Sequence, residues 1–206
     1  MTRPLLTPSQ TVGPFFHDAL LRPDAVRNVL APPHAEGEHI RIEGHVYDGD
    51  RAAVPDAMIE IWHANHDGRY HTLSEEALPP LDSRFFGFGR AATDATGAYW
   101  FETIKPGRVA YDDPRLQSPH ICVAIFARGL LNHLFTRLYF ADDATNPGDP
   151  VLQRVPADRR SALLAFREVR SPHVVYAFDI VLQGDGETVF FDFTHGRTSR
   201  ADRPHE

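Results

Sequence analysis

The sequence predicts an all-β, single-domain β-sandwich that carries an extended N-terminal arm and one short helix. Three observations predict it. Short apolar segments with two-residue alternation recur from about residue 38 to residue 193, separated by Gly, Pro and Asp turn signals. Aromatic residues, which suit pleated and half-buried surfaces, make up 11% of the chain, and 17 prolines and 14 glycines supply many turns. Only one segment has a convincing helical period. A chain of 206 residues is long enough for one large sandwich.

Residues 1–37 are punctuated by Pro4, Pro8, Pro14, Pro23, Pro32 and Pro33, and predict an arm with a short helix near Asp18–Leu21. The pair Phe15-Phe16 argues that this arm lies against a surface. From Gly37 the pattern changes. HIRIEGHVYDG alternates around Ile40, Ile42 and Val46 and stops at Asp48-Gly49. MIEIWHAN is a second strand, ended by Asp67-Gly68. GFGRAATD and AYWFETI flank the turn Ala95-Thr96-Gly97, which predicts a hairpin closed at Lys105-Pro106-Gly107. HICVAIFAR alternates strictly, with Ile121, Val123 and Ile125 on one face and Cys122, Ala124 and Phe126 on the other. LFTRLYF and VVYAFDIVLQ are further strands, and the turn Gly184-Asp185-Gly186 leads to TVFFDF. The helix is PADRRSALLAFREV, residues 156–169, with Pro156 near its start and Ala162, Phe166 and Val169 at helical spacing. The domain division is therefore arm 1–37, sandwich 38–193 and a disordered tail 194–206.

Composition excludes several functions. The formal charge is −7 with no block of like charges, so there is no electrostatic footprint for nucleic acid. Cys122 is the only cysteine, so no intrachain disulfide forms. The opening MTRPLLTPSQTVGPFFHDALL lacks an apolar core of signal-peptide length, and no apolar run approaches a membrane span. A soluble cytoplasmic protein is the expectation.

Candidate chemistry is sparse. His63 and His66 lie near a strand end with His71 close behind, but strand residues three apart face opposite sides, and no second Cys/His pair follows. Solvent-facing loop histidines are the expectation. His120 and Cys122 share a strand face and could supply two metal ligands, although a lone cysteine in an alternating strand more often packs as a small hydrophobe. There is no G-x-S-x-G elbow and no Gly-rich phosphate loop. The adjacent acids Glu75-Glu76, Asp112-Asp113 and Asp142-Asp143 read as solvated charges. Trp62 and Trp100 sit inside predicted strands, which favours core packing. Arg128 ends the most apolar strand. It needs a carboxylate, either from an acid of this chain or from a small anionic ligand gripped by its bidentate fork.

The segments TPSQTVGPFF, GEHIRIEGHVYDGD, IEIWHANHDGRY, TIKPG, SPHICVAIFARG, LFTRLYFADD and YAFDIVLQGDGETVFFDF, in that order from Thr7 to Phe193, resemble the intradiol ring-cleavage dioxygenases. Within that family the chain is similar to the α rather than the β subunit of the enzyme built from two chain types. The resemblance implies a β-sandwich and an αβ hetero-oligomer acting in aromatic catabolism (the β-ketoadipate pathway). It further implies Fe(III) held in the partner β subunit by two tyrosines and two histidines. The implied substrate is 3,4-dihydroxybenzoate (protocatechuate), cleaved with O2 to 3-carboxy-cis,cis-muconate. Ferric iron is a hard Lewis acid that phenolate oxygens stabilise.

By motif match, the four ligand positions here are Tyr70, Val109, His120 and Cys122. Two ligands are therefore replaced, and Gln117 stands where the catalytic subunit has an arginine. The resemblance makes Tyr70 and His120 vestigial, and leaves this chain without a metal or a catalytic residue of its own. It also implies that Arg128 of FARG, with Gly13 and Pro14 of TVGPF, lines the partner's substrate pocket, and that the arm wraps the partner. Two other functions compete with this one. The first is a homo-oligomeric dioxygenase with a rearranged site of Tyr70, Tyr111, His120 and Cys122. The second is a metal-free sandwich that binds carbohydrate or protein through an exposed aromatic platform.

Overall fold

The computed structural model describes residues 11–13, 18–70, 85–170 and 173–192. Within them the strands are β1 (His39–Tyr47), β2 (Met58–Trp62), β3 (Phe88–Ala92), β4 (Ala98–Ile104), β5 (Val109–Asp112), β6 (Arg115–Gln117), β7 (His120–Phe126), β8 (Leu134–Phe140), β9 (Leu164–Arg170), β10 (His173–Ala177) and β11 (Ile180–Val181). Residues 18–20 are helical, in the place the arm's short helix was expected. Pro14, Phe15-Phe16, His71 and the tail 194–206 lie outside the described residues. Among the described residues no helix is long and apolar enough to cross a membrane.

One sheet runs β3–β2–β7–β8, with every neighbour antiparallel. The other runs β4–β1–β10–β9, with β1 and β10 parallel. β9 belongs to both. It pairs antiparallel with β10 and then parallel with β8 through Tyr139↔Leu164 and Phe140↔Ala165. β5 and β6 form a separate two-stranded ribbon. Alternation decides what is buried, as expected for sheets that each turn one face inward. Ile40, Ile42 and Val46 of β1 meet Ile59 and Ile61 of β2 and Ile121, Val123 and Ile125 of β7 in one core. Near the end of β1 the partner changes from β10 to β11, and Phe178 N–H donates to Glu43 O at 2.9 Å there. Gly44 permits this approach, because a Cβ would stand 1.9 Å from the Phe178 carbonyl oxygen.

The expected hairpin is replaced by a crossing between sheets. The turn Asp94–Ala98 is tight, and Asp94 Oδ1 accepts from the Thr96 and Ala98 amides at 2.8 and 3.0 Å. Yet β3 pairs with β2 and β4 with β1, so the two strands diverge. The arm fills the gap. Arg27 and Arg90 exchange N–H···O bonds of 2.8 and 2.9 Å, Leu30 N–H donates to Glu102 O at 2.8 Å, and Glu102 N–H to Asn28 O at 2.7 Å. Residues 27–30 thus pair with both open edges, and Leu30 enters the core.

The predicted helix is also revised. Ala157–Leu163 forms 3-10 turns, but Leu164–Arg170 is β9. Phe166 and Val169, two of the three residues in the proposed apolar stripe, are exposed, whereas Leu163 and Ala165 are buried with strand spacing. Pairing with β10 and β8 outweighs a weak helical propensity. The tryptophans are not in the core either. Trp62 is 49% exposed, and Trp100 lies on the outer face beneath Arg41, whose guanidinium carbon is 4.2 Å from the ring centroid.

Truncating Leu30, 3% exposed, to alanine should lower unfolding free energy by about 2–5 kcal/mol in urea titrations. The same truncation at Val29, 52% exposed, should change it by less than about 0.5 kcal/mol. Equal effects would mean that the arm does not close the fold in solution.

Candidate functional site

The outer face of the first sheet gathers most of the titratable groups singled out by sequence. Trp62, Cys122 and Arg137 are directly opposite one another across β2, β7 and β8, so their side chains share that face. His120 and Tyr139 form the next row.

A tight turn delivers Tyr70 to this face. Asn65 Oδ1 accepts from the Asp67 and Arg69 amides at 3.1 and 2.9 Å. Asn65 O accepts from Gly68 N–H at 3.0 Å and from Gly107 N–H at 2.9 Å, which docks the turn on the KPG loop. Gly68 has φ +80°, and a Cβ there would lie 1.8 Å from Arg108 O, so only glycine fits. Tyr70 then packs edge-on against Trp62, with ring centroids 5.3 Å apart. The KPG loop continues into β5, where Val109 is opposite Gln117.

Arg137 occupies the middle of the cluster. Its Nη1 donates to Gln117 Oε1 at 2.7 Å and to the Tyr139 hydroxyl at 3.3 Å. The Cys122 thiol lies on the same face, where the charge of Arg137 acts on it. Tyr139 OH donates to Asp149 Oδ1 at 3.2 Å, and the buried Asp149 carboxylate also accepts from the amides of Ser118, Val151 and Leu152 at 2.7, 2.9 and 2.6 Å. Burial alone would lower the Arg137 pKa, but the surrounding phenols and thiol hold it above its usual value. Burial raises Tyr70, Tyr139 and Cys122, so all three stay protonated near neutral pH. Sequence reasoning passed over Arg137, although an arginine inside the apolar strand LFTRLYF was itself a signal that a polar cluster must receive it.

His120 is buried, and its Nδ1–H donates to Ser118 O at 2.8 Å. Its pKa falls to about 4, first through burial and then through the Arg137 charge. His63 is not the solvent-facing loop histidine expected from sequence. It is buried, Nδ1–H donates to Ala64 O at 2.8 Å, and Nε2 then accepts from Thr103 Oγ1 at 2.8 Å. Burial lowers its pKa to about 4. His66 is partly exposed, between Asp67 at 3.2 Å and Glu36 at 3.5 Å. Cys122, expected as a buried hydrophobe, is only partly buried.

These residues do not suit a ferric ion. Val109 is buried and offers no donor atom, and Cys122 stands where the second imidazole would be. Among the described residues no group of three or more His, Cys, Asp and Glu side chains is placed to hold a metal ion. Tyr111 does not complete the set. It is exposed on the β5–β6 ribbon, with the Arg115 guanidinium 5.2 Å from its ring centroid.

Arg128 lies just past the opposite end of β7, directly after the buried Ala127, as sequence suggested. Its side chain is largely exposed, and Nη2 is 3.6 Å from Asp56 Oδ2, an exposed pair of little energetic weight. The arm reaches this corner: Gly129 N–H donates to Thr11 Oγ1 at 2.7 Å. Thr11, Val12 and Gly13 with Phe126, Ala127 and Leu130 line an open cavity beside it.

The family model described as "Dioxygenase" matches residues 12–184. The chain is 43% identical to the protocatechuate 3,4-dioxygenase alpha chain of Burkholderia cepacia, across 93% of this chain and all of that one. It is 35% identical to the beta chain from the same organism, across 87% of this chain and 77% of the other. Among solved structures, it is similar to the dioxygenase domain of a dioxygenase–carbohydrate-binding protein fusion from Streptomyces sp. SirexAA-E. That similarity has a TM-score of 0.60 and 26% identity over 86% of this chain and 98% of the domain.

The two buried histidines make stability depend on pH. Folded, each has a pKa of about 4, while in the unfolded chain each titrates near the ordinary 6.5. Between those values the unfolded chain binds more protons. The contribution is therefore complete above pH 6.5 and lost as pH falls toward 4, on the order of 3 kcal/mol per histidine. In urea denaturation across this window, His63→Gln should flatten the slope by about 1 kcal/mol per pH unit. An unchanged slope would show that His63 titrates alike in both states.

Proposed function

The chain belongs to the intradiol ring-cleavage dioxygenase family, and on that footing we propose that it is the α subunit of a protocatechuate 3,4-dioxygenase. The observation that carries this is the donor set. The ligand positions are Tyr70, Val109, His120 and Cys122, with Arg137 among them, on a chain that matches an alpha chain from end to end. The ferric ion that activates the catechol ring belongs to an iron-bearing β subunit of the same αβ oligomer. The assembled enzyme cleaves 3,4-dihydroxybenzoate with O2 to 3-carboxy-cis,cis-muconate in the cytoplasm.

This chain's part is to bind and orient. Arg128 receives the substrate carboxylate, since a guanidinium fork matches two carboxylate oxygens. Its weak, exposed pair with Asp56 leaves it available for that exchange. Gly13 and Pro14 bring backbone against the ring, and the Thr11–Gly129 hydrogen bond ties this part of the arm to the Arg128 turn. The part of the arm ahead of Arg27 reaches the partner, while residues 27–30, with Leu30, Ala31 and Ala35 in the core, complete this chain's own sandwich of residues 38–193. A carbohydrate- or protein-binding module is less well supported: Trp62 is exposed, but it packs edge-on against Tyr70.

Co-expression with an iron-bearing β chain should yield ring-cleaving activity and the burgundy tyrosinate-to-iron colour, while this chain alone should show neither. Colour and activity from this chain alone would sink the proposal. In the assembled enzyme, Arg128→Ala should cost about 1.5–3 kcal/mol of substrate affinity. It should raise the KM for protocatechuate roughly ten- to a hundredfold, and that for catechol, which lacks the carboxylate, much less. Equal effects on both substrates would make Arg128 structural.

A further inference from the structure

We infer that Asp56 is a positioning residue for Arg128: its carboxylate holds the guanidinium until the substrate carboxylate displaces it, and this exchange sets how tightly the site takes an anionic ring. The inference rests on the reading in which Arg128 receives that carboxylate. Strand register places the two residues side by side. Met58 of β2 is opposite Phe126 of β7, and the buried Ala57 and Ala127 follow at the same end of the two strands. One residue further out are Asp56 and Arg128, with Asp56 Oδ2 3.6 Å from Arg128 Nη2 and both side chains more than half exposed.

The backbone on each side of the pair is pinned. The buried Thr93 bridges the turn at residues 54–57, where its hydroxyl donates to Val54 O at 2.8 Å and accepts from Ala57 N–H at 2.8 Å. Pro55 precedes Asp56, whose φ is +60°. That is the pattern of a type II turn, in which glycine or asparagine serves best at the second central residue. The turn itself therefore has no use for a charge at residue 56, and the group outside the turn that meets this charge is Arg128. Across from it, Arg128 and Gly129 form the tip of a second turn, closed by Leu130 N–H to Ala127 O at 3.3 Å. Thr11 Oγ1 accepts from Gly129 N–H at 2.7 Å and anchors that tip. With both turns held, trading one carboxylate for another needs only rotation of the Arg128 side chain. A single exposed contact of 3.6 Å is a weak hold, whereas two parallel N–H···O bonds to an aryl carboxylate are a strong one. The exchange runs toward substrate, and apparent affinity is lowered by the fraction of Arg128 that Asp56 occupies. Catechol has no carboxylate and takes no part in the exchange.

The test is steady-state kinetics of the assembled, iron-loaded enzyme with protocatechuate and with catechol. Asp56→Asn removes the charge and suits the positive φ. It should lower the KM for protocatechuate about two- to fivefold, the range that exposed ion pairs reach, while kcat and the KM for catechol stay the same. Asp56→Gly, which also suits the turn, should do likewise. On an Arg128→Ala background, Asp56→Asn should change neither KM, because Asp56 acts through the guanidinium. An unchanged protocatechuate KM in both Asp56 variants overturns the inference, and so does a raised one, which would mean that Asp56 steers Arg128 toward substrate instead of competing for it. A fall in only one of the two variants overturns it as well, since the loss of charge is what they share. A fall that persists without Arg128 does the same, because the carboxylate then repels the substrate directly. If Arg128→Ala by itself leaves the protocatechuate KM unmoved relative to catechol, the reading of Arg128 fails and this inference with it. If Arg128→Ala raises that KM and the Asp56 variants do not lower it, only the role of Asp56 is lost.

Discussion

The hydrogen bonds between residues 27–30 and the facing edges of β3 and β4 hold the two sheets in one closed body. Buried backbone N–H and C=O groups must be paired, and a turn that sends its two flanking strands into different sheets leaves two edges unpaired. The arm supplies the missing backbone, and Leu30 fills the core behind it. Arg27 and Glu102 therefore take part in closure through their main chains, whatever their side chains do. The segment that closes the fold also continues, toward the N-terminus, into the stretch that meets Arg128 through Thr11. Stability of the sandwich and delivery of the arm are in this way parts of one chain path.

β7 connects the two functional regions. His120 begins it next to the guanidinium cluster, and Arg128 follows its other end beside the arm. At about 3.3 Å per strand residue, the two are roughly 25 Å apart along the strand. The guanidinium cluster lies at one end and the exposed arginine at the other, so a change in either need not disturb its counterpart. The inward residues Ile121, Val123 and Ile125 are locked in the core, while the outward residues Cys122, Ala124 and Phe126 are only partly buried. A strand with one buried face permits this, because register is held by the inward side chains alone.

On the outer face of the first sheet, polar groups from several elements lie in a partly buried place, where they need partners. Arg137 gives them one. The result is a set of protonated phenols, a protonated thiol and the neutral His120 beside a single permanent charge, which is chemically quiet at neutral pH.

Local pattern was enough to determine the strands from β1 through β4 and β7, because a two-residue period with one buried face leaves little freedom. The same holds for the Gly68 turn, whose positive φ excludes other residues. Other features depended on tertiary structure. Ala95-Thr96-Gly97 reads as a hairpin turn whichever sheet its strands join, and only the arm's hydrogen bonds decide that they part. Residues 164–170 carry both a helical and a strand period, and the open edges of β8 and β10 select the strand. His63 looks like a loop residue until Thr103, forty positions away, accounts for its second nitrogen. Arg137 could be seen in the sequence as a misplaced charge, but its partners come from residues 70 to 139, and only the fold brings them together. Short-range periodicity is written in the chain, whereas the pairing of distant polar groups is decided by how the sheets close.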